Sequence, residues 1–406
     1  MSDEAFRSPD IDPTIVDRWR PVTQWEPTDV AREWRLWSER NQRALDHLPV
    51  VGRGRDLAWT ETANEHRYAM LIGRRAGFPT MGTSLSKVQI PAGCHTGRQR
   101  HGEEAIHVLE GEGFLILDGR RYNFRPGTTI HVPFMSEHQL FNTGDTDVAY
   151  VTAGAHELDL FVMVGRFEQL ADKGTNEAGF QDAFPAEDGQ FDILGRRIAL
   201  HLQDAPDEEA LRQARRRAAR AAQEAREDGQ GGAAADHDGH GHGGHGDPAP
   251  LAGGSDGQPG GAPQYVKPSR VENINADPHR HGAIYVLMGG GESKSDIRNG
   301  FTALSVAMTN IFEEIPHTSS HCHTHTEAML YVLEGVGFSE IDFEHYDWEA
   351  GDAVHVPPRM TRHEHFNPSD GRTRTLRIEF GIRYYYEPLW RGFERIEHRS
   401  GSIARP

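Results

Sequence analysis

The chain contains two copies of one pattern, and this duplication restricts its fold more than any other feature. Residues 105–113 read AIHVLEGEG, and residues 329–337 read MLYVLEGVG. Further along, FRPGTTIHVPFMSEHQLFN at 124–142 matches WEAGDAVHVPPRMTRHEHFN at 348–367. Both copies carry Gly, then His-Val-Pro, then a His four residues before an Asn. A duplication of this extent, about 100 residues or more per copy, predicts two similar domains.

Each copy consists of short apolar runs, separated by turns that contain Gly or Asp. TSLSKVQI, AIHVLEG and TTIHVP are such runs in the first copy, and TALSVAM, MLYVLEG and AVHVP are their counterparts in the second. Runs of this length and spacing are typical of strands in antiparallel sandwiches and barrels. The sequence LDGR at 117–120 fits a two-residue hairpin turn. The pattern therefore predicts two antiparallel β-domains.

The sequence outside the two copies divides the chain further. Residues 1–60, which include DVAREWRLWSERNQRALDHL, are predicted to form a helical N-terminal arm. Residues 61–200 are then the first domain, and residues 265–406 the second. Residues 201–264 combine a charged, Ala/Arg-rich helix with the His/Gly-rich stretch DHDGHGHGGHGD, which cannot bury enough apolar surface to fold. We expect a long disordered linker there, with loose chelation of divalent metal by its histidines as the alternative.

The composition argues against several classes of partner and location. A formal net charge of −18 disfavours nucleic acid and anionic membrane surfaces. The only cysteines, Cys94 and Cys322, fit a reducing cytosol better than a disulfide framework. No apolar run approaches the ~18 residues of a membrane-spanning helix, and the N-terminus has no signal-peptide pattern. We therefore expect a soluble cytoplasmic protein.

The 24 histidines are clustered, and one cluster has a regular spacing. In HCHTHTEAMLYVLEG at 321–335, His321, His323, His325 and Glu327 occupy alternate positions. Alternate residues of a strand point to one face, but these four would span about 20 Å if extended. Two imidazoles that are two residues apart can converge on one ion. The spacing therefore favours one adjacent pair as ligands and leaves open whether it is 321/323 or 323/325.

These stretches resemble the cupin family, jelly-roll domains of the double-stranded β-helix kind. The usual first motif of that family has Gly, His-x-His, a Glu and a further Gly, and the second has Gly, Pro, His and Asn. The second copy offers His321, His323, His325, Glu327 and Gly335, then Gly351, Pro357, His363 and Asn367. The resemblance implies an all-β fold class: two double-stranded β-helix (cupin/jelly-roll) domains with a helical N-terminal arm and a long disordered linker.

The same resemblance implies a metal site in the second domain. We predict His323, His325, Glu327 and His363 as its ligands, with His321 and His365 as second choices. In the first copy, the residues where the pair of histidines should begin are Arg98, Gln99, Arg100 and His101, so at most one histidine of the pair is present. We expect that domain to be degenerate; the alternative is a weaker site built from His101, Glu104 and His138, with Gln99 or His95 as a further ligand.

Imidazole and carboxylate donors suit Fe(II), Mn(II), Zn(II) or Ni(II), and we expect Fe(II). Two-domain cupins of this layout resemble gentisate 1,2-dioxygenase-like enzymes, which keep their iron in the first domain. The resemblance implies ring cleavage of a small hydroxylated aromatic acid with O₂, in a homo-oligomer. Other metal-cupin enzymes (a Mn-dependent decarboxylase or an isomerase) and a non-catalytic binding bicupin are the alternatives. The candidates to hold the substrate carboxylate are Arg359, Arg362, Arg377 and Arg383.

Overall fold

The computed structural model describes residues 34–36, 49–183, 190–202, 284–289, 301, 305–320, 323–325, 327–358 and 361–381. Within these ranges the chain is mostly β-structure. The helical parts are short: residues 34–36, the α-helix α1 (His156–Phe161) and the 3-10 turns Gly54–Asp56, Arg74–Ala76 and Phe180–Ala183. Among the described residues, no helix has the length and apolar character needed to cross a membrane.

The described strands fall into two groups, one on each side of residue 203. The first group is β1 (Val51–Gly52), β2 (Arg67–Ile72), β3 (Ser84–Ile90), β4 (Cys94–His95), β5 (Arg98–Arg100), β6 (Glu104–Glu110), β7 (Gly113–Leu117), β8 (Arg120–Phe124), β9 (Thr128–Val132), β10 (His138–Asn142), β11 (Val148–Gly154), β12 (Glu168–Ala171), β13 (Gly174–Thr175) and β14 (Ala199–His201). The second group is β15 (Ile284–Gly289), β16 (Val306–Glu314), β17 (Thr318–Ser319), β18 (His323–His325), β19 (Ala328–Glu334), β20 (Val336–Ile341), β21 (Glu344–Glu349), β22 (Ala353–Val356), β23 (Thr361–Asn367) and β24 (Thr373–Phe380).

The two halves contain six-stranded sheets with the same order of equivalent strands. The orders are β14-β9-β6-β11-β3-β2 in the first domain and β1-β22-β19-β24-β16-β15 in the second. A second sheet faces each of these, built around β10 in the first domain and around β23 in the second. All described strand pairs are antiparallel. The predicted fold class, two antiparallel β-domains, is therefore confirmed.

Alternation along the central strands decides which core each side chain joins. In β6, Ile106 and Val108 pack inside the first domain, whereas Ala105 faces the other way. In β19, Leu330 packs inside the second domain and Met329 faces away from it. Ala105 and Met329 belong to one shared core. The two six-stranded sheets therefore pack against each other, and each domain interior lies on the far side of its sheet.

The predicted hairpin at LDGR is confirmed. Leu117 and Arg120 are opposite each other at the ends of β7 and β8. The two turn residues, Asp118 and Gly119, have φ values of 47° and 79°. Positive φ at both central positions is the conformation that Asp-Gly favours in a two-residue hairpin turn.

The described end of the predicted N-terminal arm is not helical. Residues 34–36 are helical, but β1 joins the edge of the second domain's sheet, with Val51 opposite Val354. In the first domain, β14 fills the same edge position. The prediction of a helix up to residue 60 was wrong there because Val50 is buried in the second-domain core, and branched side chains of this kind favour strands. Residues 203–264 of the predicted linker, and also His321, Arg359 and Arg383, lie outside the described residues.

Candidate metal centre

Potential metal ligands converge at one end of the first-domain interior. One ligand atom from each of His101, Glu104 and His156 lies within 4.8 Å of the other two. The His101 ring centroid is 4.6 Å from that of His138 and 4.5 Å from that of His156. His101, Glu104 and His138 are buried, and His156 is half-buried. We call these four residues the first-domain cluster.

Three segments of the chain bring the cluster together. His101 lies in the turn between β5 and β6, Glu104 begins β6, and His138 begins β10 in the facing sheet. β11 runs beside β6 and places Gly154 directly opposite Glu104. Because only Ala155 separates β11 from α1, the first residue of α1, His156, enters the same space.

The turn at Gly102 is closed too tightly for any side chain. A Cβ atom at Gly102 would collide with the Asp159 carboxylate and come within 3.2 Å of His156 Nδ1. Asp159 itself accepts hydrogen bonds from the Ser305 hydroxyl, with distances of 2.9 and 3.1 Å to its two oxygens. α1 is therefore held between the His101 turn and the second domain, and this fixes the position of His156.

Hydrogen bonds orient the imidazoles as metal ligands are usually oriented. His138 Nδ1 donates to the Ser136 carbonyl oxygen at 3.0 Å, so its Nε2 carries the lone pair. That Nε2 is buried and has no hydrogen-bond partner, and the same is true of His156 Nδ1. His101 Nδ1 contacts the Gly102 carbonyl oxygen at 2.8 Å. Buried ring nitrogens without partners need an ion or a water, and a backbone carbonyl behind the ring is typical of a metal-binding histidine.

Burial keeps the imidazoles in the form that binds metal. It lowers the pKa of His138 to about 3, with a further contribution from the neighbouring His101. Burial, followed by His101 and His138, holds the pKa of His156 well below its ordinary value. Burial also raises the pKa of Glu104, although His101 and a hydrogen bond from the Thr152 hydroxyl oppose this. A divalent cation would offset the cost of a buried carboxylate and accept the lone pairs of neutral imidazoles, so the donor set fits such an ion.

Two further side chains border the cluster. Gln99, directly opposite His138 across the β5–β10 pair, is buried, and its Oε1 atom has no hydrogen-bond partner. The Phe167 ring stacks on His101 with 5.4 Å between centroids, and 55% of this residue is exposed. Phe167 therefore forms the solvent side of the cluster, and Gln99 places one more oxygen beside His138.

The cluster contains the three first-copy residues that the motifs pointed to, His101, Glu104 and His138, together with one that they missed. His156 lies outside both motifs, and its only signal in the sequence is that it comes two positions after the strand VAYVTAG ends at Gly154. His95, the other residue considered there, lies on β4, where its Nδ1 contacts the Thr96 carbonyl oxygen at 2.8 Å.

In the second domain, the backbone places the predicted histidines at matching positions. β18 pairs with β23, so that His323 lies directly opposite His363. His363 is buried, and its Nδ1 donates to the Thr361 carbonyl oxygen at 2.9 Å, as His138 does to Ser136. His365 lies two residues further along β23, and its Nδ1 is 2.7 Å from the Ser339 hydroxyl.

Glu327, predicted as the carboxylate ligand of that site, lies elsewhere. Its carboxylate accepts hydrogen bonds from His355 Nε2 at 2.9 Å and from the Thr83 hydroxyl of the first domain at 2.8 Å. The next residue, Ala328, belongs to the second-domain core, and neighbours along a strand face opposite sides. The structure thus directs Glu327 towards the first domain, away from the interior that His363 faces.

The first domain contains an equivalent Glu–His pair, whose glutamate contacts the second domain. Glu103 Oε1 lies 3.0 Å from His131 Nε2, and Glu103 Oε2 accepts a hydrogen bond from the Val306 amide of the second domain. His131 and His355 are the histidines of the two His-Val-Pro segments. These two Glu–His pairs, which we call the reciprocal clasps, join the domains instead of binding a metal within either of them.

The predicted arginines that fall within the described residues differ in orientation. Arg362 precedes His363 and so faces the outside of the domain, where it lies 3.9 Å from Glu340 and 4.0 Å from Glu364. This placement does not bring it to the interior, because successive residues of β23 alternate. Arg377 lies on β24 and forms a buried ion pair with Glu379.

Comparison with known proteins supports the assignment of both domains. The family model for the cupin domain matches residues 86–154 and 311–379. A 64-residue stretch is 33% identical to an uncharacterized protein of Methanocaldococcus jannaschii and covers 15% of this chain and 51% of that protein. The chain thus aligns with about half the length of this relative.

Solved structures with a similar fold include those of Bacillus subtilis oxalate decarboxylase. A deletion mutant of that enzyme aligns with a TM-score of 0.50 and 10% identity, over 82% of this chain and 76% of the other. A tryptophan-to-phenylalanine mutant, and a structure studied for the EPR fine structure of its Mn(II) centres, give the same score and identity over 82% and 77%. At this identity the likeness concerns the fold. The cupin-domain model matches one stretch in each half of the chain, and the duplicated strand order agrees with a cupin fold in both halves.

Proposed function

We propose that this protein is a metal-dependent bicupin enzyme whose active centre is the first-domain cluster. The observation that carries the proposal is the convergence of His101, Glu104 and His156 within 4.8 Å of one another, beside the unpartnered Nε2 of His138. Three imidazoles and one carboxylate would hold a divalent ion and leave coordination positions for a substrate. A bound Fe(II) would supply Lewis-acid and one-electron redox chemistry towards O₂ and a chelating substrate.

The residues around the cluster perform separate tasks in this proposal. The Ser136 and Gly102 carbonyl oxygens hold the rings of His138 and His101, and the Thr152 hydroxyl donates to Glu104. These contacts fix the ligands before any ion arrives, so less ordering is needed on binding. Phe167 excludes water from one side of His101 and offers an aromatic face at the entrance.

For the reaction, we propose Fe(II)-dependent ring cleavage of a small hydroxylated aromatic acid by O₂. Two observations support it over the alternatives. The cluster lies in the first domain, which is where enzymes of the gentisate 1,2-dioxygenase layout keep their iron. The half-exposed Phe167 ring, parallel to His101 within 14°, lies where a planar substrate could stack. A homo-oligomer in the cytoplasm is part of the same proposal.

A Mn(II)-dependent decarboxylase of a small acid is the second candidate. The donor set of the cluster suits Mn(II) as well as Fe(II), and the fold is similar to that of oxalate decarboxylase, an enzyme studied for its Mn(II) centres. A decarboxylase would release CO₂ from a dicarboxylic acid without net consumption of O₂.

Oxygen uptake and metal analysis separate the two candidates. The full chain is purified without oxygen, loaded with Fe(II) or with Mn(II), and offered a panel of dihydroxylated aromatic acids and short dicarboxylic acids. We expect stoichiometric O₂ uptake with an aromatic acid and Fe(II), and its loss in His156→Ala. His95→Ala is the matched control, because His95 belongs to the same domain but not to the cluster. CO₂ release with Mn(II) and no O₂ uptake would replace the dioxygenase by the decarboxylase.

A further inference from the structure

The outer face of β8 lines a polar groove on the first domain. Tyr122 and Phe124 of this strand pack in the domain core, and neighbours along a strand face opposite sides. Arg121, Asn123 and Arg125 therefore face outwards, and all three line a groove of about 350 Å³. Two guanidinium groups thus lie along one wall of this groove.

The groove is separate from the first-domain cluster. Glu104 begins β6, whereas Glu112, which follows the end of that strand, lines the groove. The strand between them spans about 20 Å at 3.3 Å per residue. The groove therefore lies at the opposite end of the domain from the proposed metal ligands, and a molecule bound in it would not contact them.

Local contacts set the positions of the two arginines. The Arg121 guanidinium lies 4.1 Å from the centroid of the Phe114 ring, and its Nε donates to Asn123 Oδ1 at 2.9 Å. Arg125 begins a tight turn that ends at Thr128, whose amide donates to the Arg125 carbonyl oxygen at 2.9 Å. In return, the Thr128 hydroxyl accepts a hydrogen bond from the Arg125 amide at 3.0 Å. This local order reduces the ordering that a ligand would have to impose.

The edge strand β14 adds an imidazole to the groove. His201 lines it, and the His201 Nδ1 atom lies 2.7 Å from the Thr128 hydroxyl. Because Nδ1 is engaged in this way, a ligand in the groove would meet Nε2, and an anion would select the form in which Nε2 carries a proton. The lining also contains the Thr143 hydroxyl, so donors come from three separate segments of the chain.

The second domain has the same construction with the charges reversed. The counterpart of β8 is β21, since Phe124 and Trp348 lie opposite the equivalent glycines of the two repeats. On β21, Asp347 and Glu349 stand in place of Asn123 and Arg125.

The edge segment of the second domain balances these carboxylates. Arg53, which follows β1, lies 2.8 Å from Asp352, the counterpart of Thr128, and Arg55 lies 3.5 Å from Glu349. Acid on the strand is thus matched by base on the edge segment. In the first domain the strand carries the arginines, and the lining of the groove contains a single carboxylate, that of Glu112. The first-domain groove therefore has an excess of positive charge within a chain whose net charge is −18.

We propose that this groove is a binding site for a small phosphate-bearing ligand. Guanidinium groups pair with phosphate oxygens through two parallel hydrogen bonds, and the tetrahedral phosphate accepts from donors that approach from several directions. A carboxylate, with two oxygens in one plane, would use fewer of these donors. The site is independent of the reaction proposed for the metal cluster.

Calorimetric titration of the full chain with inorganic phosphate, at low ionic strength, tests the proposal. We expect one saturable site per chain in the wild type. Arg125→Gln should weaken phosphate binding by about 10-fold or more, the loss expected for one hydrogen bond to a charged group. Arg125→Glu, which copies Glu349 of the second domain, should abolish binding. Arg125 is exposed, so both variants should fold. A wild type without saturable binding, or an Arg125→Glu variant that binds as the wild type does, would overturn the proposal.

Two controls locate the bound phosphate. Arg166→Gln removes an exposed arginine of the same domain that lies outside the groove, and should leave the affinity unchanged. His156→Ala disrupts the first-domain cluster and should also bind phosphate as the wild type does; loss of binding there would place the phosphate on an ion at the cluster and refute the site in the groove.

Titration with acetate tests whether the groove recognises phosphate or charge alone. We expect much weaker binding of acetate than of phosphate, and a loss of about 10-fold for phosphate in Arg121→Lys, which keeps the charge but not the planar fork. Equal affinity for the two anions would contradict the assignment of a phosphate-bearing ligand. These titrations involve no aromatic acid and no O₂, so their outcome is independent of the test of the dioxygenase.

Discussion

The two domains share one framework but differ in which strand carries each ligand. In the first domain, Gln99 lies opposite His138, and His156 joins the cluster from α1; in the second, Ala328 occupies the position of Glu104, and Glu379 lies directly opposite Ala328. A double-sheet barrel directs the ends of several strands to one interior point. A ligand can therefore move to a neighbouring strand while the metal position is kept, so each motif must be assessed together with the strands beside it.

The largest expected effect comes from removing one histidine from each domain. His101→Ala should lower activity by more than about 100-fold, because it removes a ligand and not merely a residue behind one. His363→Ala should leave activity within a few-fold, since His363 belongs to the other domain. Steady-state kinetics and metal content of both variants provide the measurement. A complete loss of activity in His363→Ala, with the first ion retained, would move the active centre to the second domain.

The second prediction concerns Glu327, which sequence and structure place in different roles. Glu327→Ala leaves His355 and the Thr83 hydroxyl without their buried partner. Removing one member of a buried pair of this kind costs about 3–5 kcal/mol in the free energy of unfolding. Thermal or denaturant unfolding should show this loss, and the metal content of the folded protein should be unchanged.

Glu103→Ala is the matched control, because it removes the other reciprocal clasp, with His131 as the orphaned partner. We expect a similar loss of stability there. If Glu327→Ala loses bound metal and Glu103→Ala loses none, Glu327 is a metal ligand, as the sequence predicted.

The fold followed from the sequence because repeat, strand period and turns all indicated the same architecture. The ligands were harder to predict, for reasons that particular residues make clear. Seven residues separate Glu327 from Gly335, where the motif has six, and a shift of one residue along a strand moves a side chain to the opposite face. Ala328 therefore occupies the inward position. His156 could not be predicted from spacing, because the tight turn at Gly102 and the Asp159–Ser305 contact fix its position.

The third prediction concerns His107, which lies in the core that the two six-stranded sheets share. His107 packs there against Thr129, with 2.9 Å between His107 Nδ1 and the hydroxyl, while its counterpart in the second domain is Tyr331. Burial, and to a lesser extent Arg374, lowers the pKa of His107 to about 4. Above pH 6.5, His107 is neutral in both the folded and the unfolded protein, so its protonation does not change the free energy of unfolding.

As the pH falls from 6.5 towards 4, His107 binds a proton in the unfolded chain but not in the folded chain. The free energy of unfolding therefore falls. At pH 5 this one group should cost about 2 kcal/mol, at 1.36 kcal/mol per pH unit. His107→Gln should flatten the pH dependence of the free energy of unfolding by that amount between pH 7 and 5. The matched control is His345→Gln, at an exposed position near Asp347. An unchanged slope in His107→Gln would show that the interface opens before this histidine titrates.

The smallest expected effect concerns Thr152, whose hydroxyl orients the Glu104 carboxylate. The Thr152 hydroxyl donates to Glu104, so Thr152→Ala leaves the ligand in place but less firmly oriented. Loss of such a supporting contact typically weakens metal affinity by about 10-fold or more. Isothermal titration of the stripped protein with Mn(II) should therefore show weaker binding at the first-domain cluster. Thr152→Ser, which keeps the hydroxyl, should behave as the wild type. If Thr152→Ala binds Mn(II) as tightly as the wild type, the Thr152 hydroxyl does not orient Glu104 as a ligand.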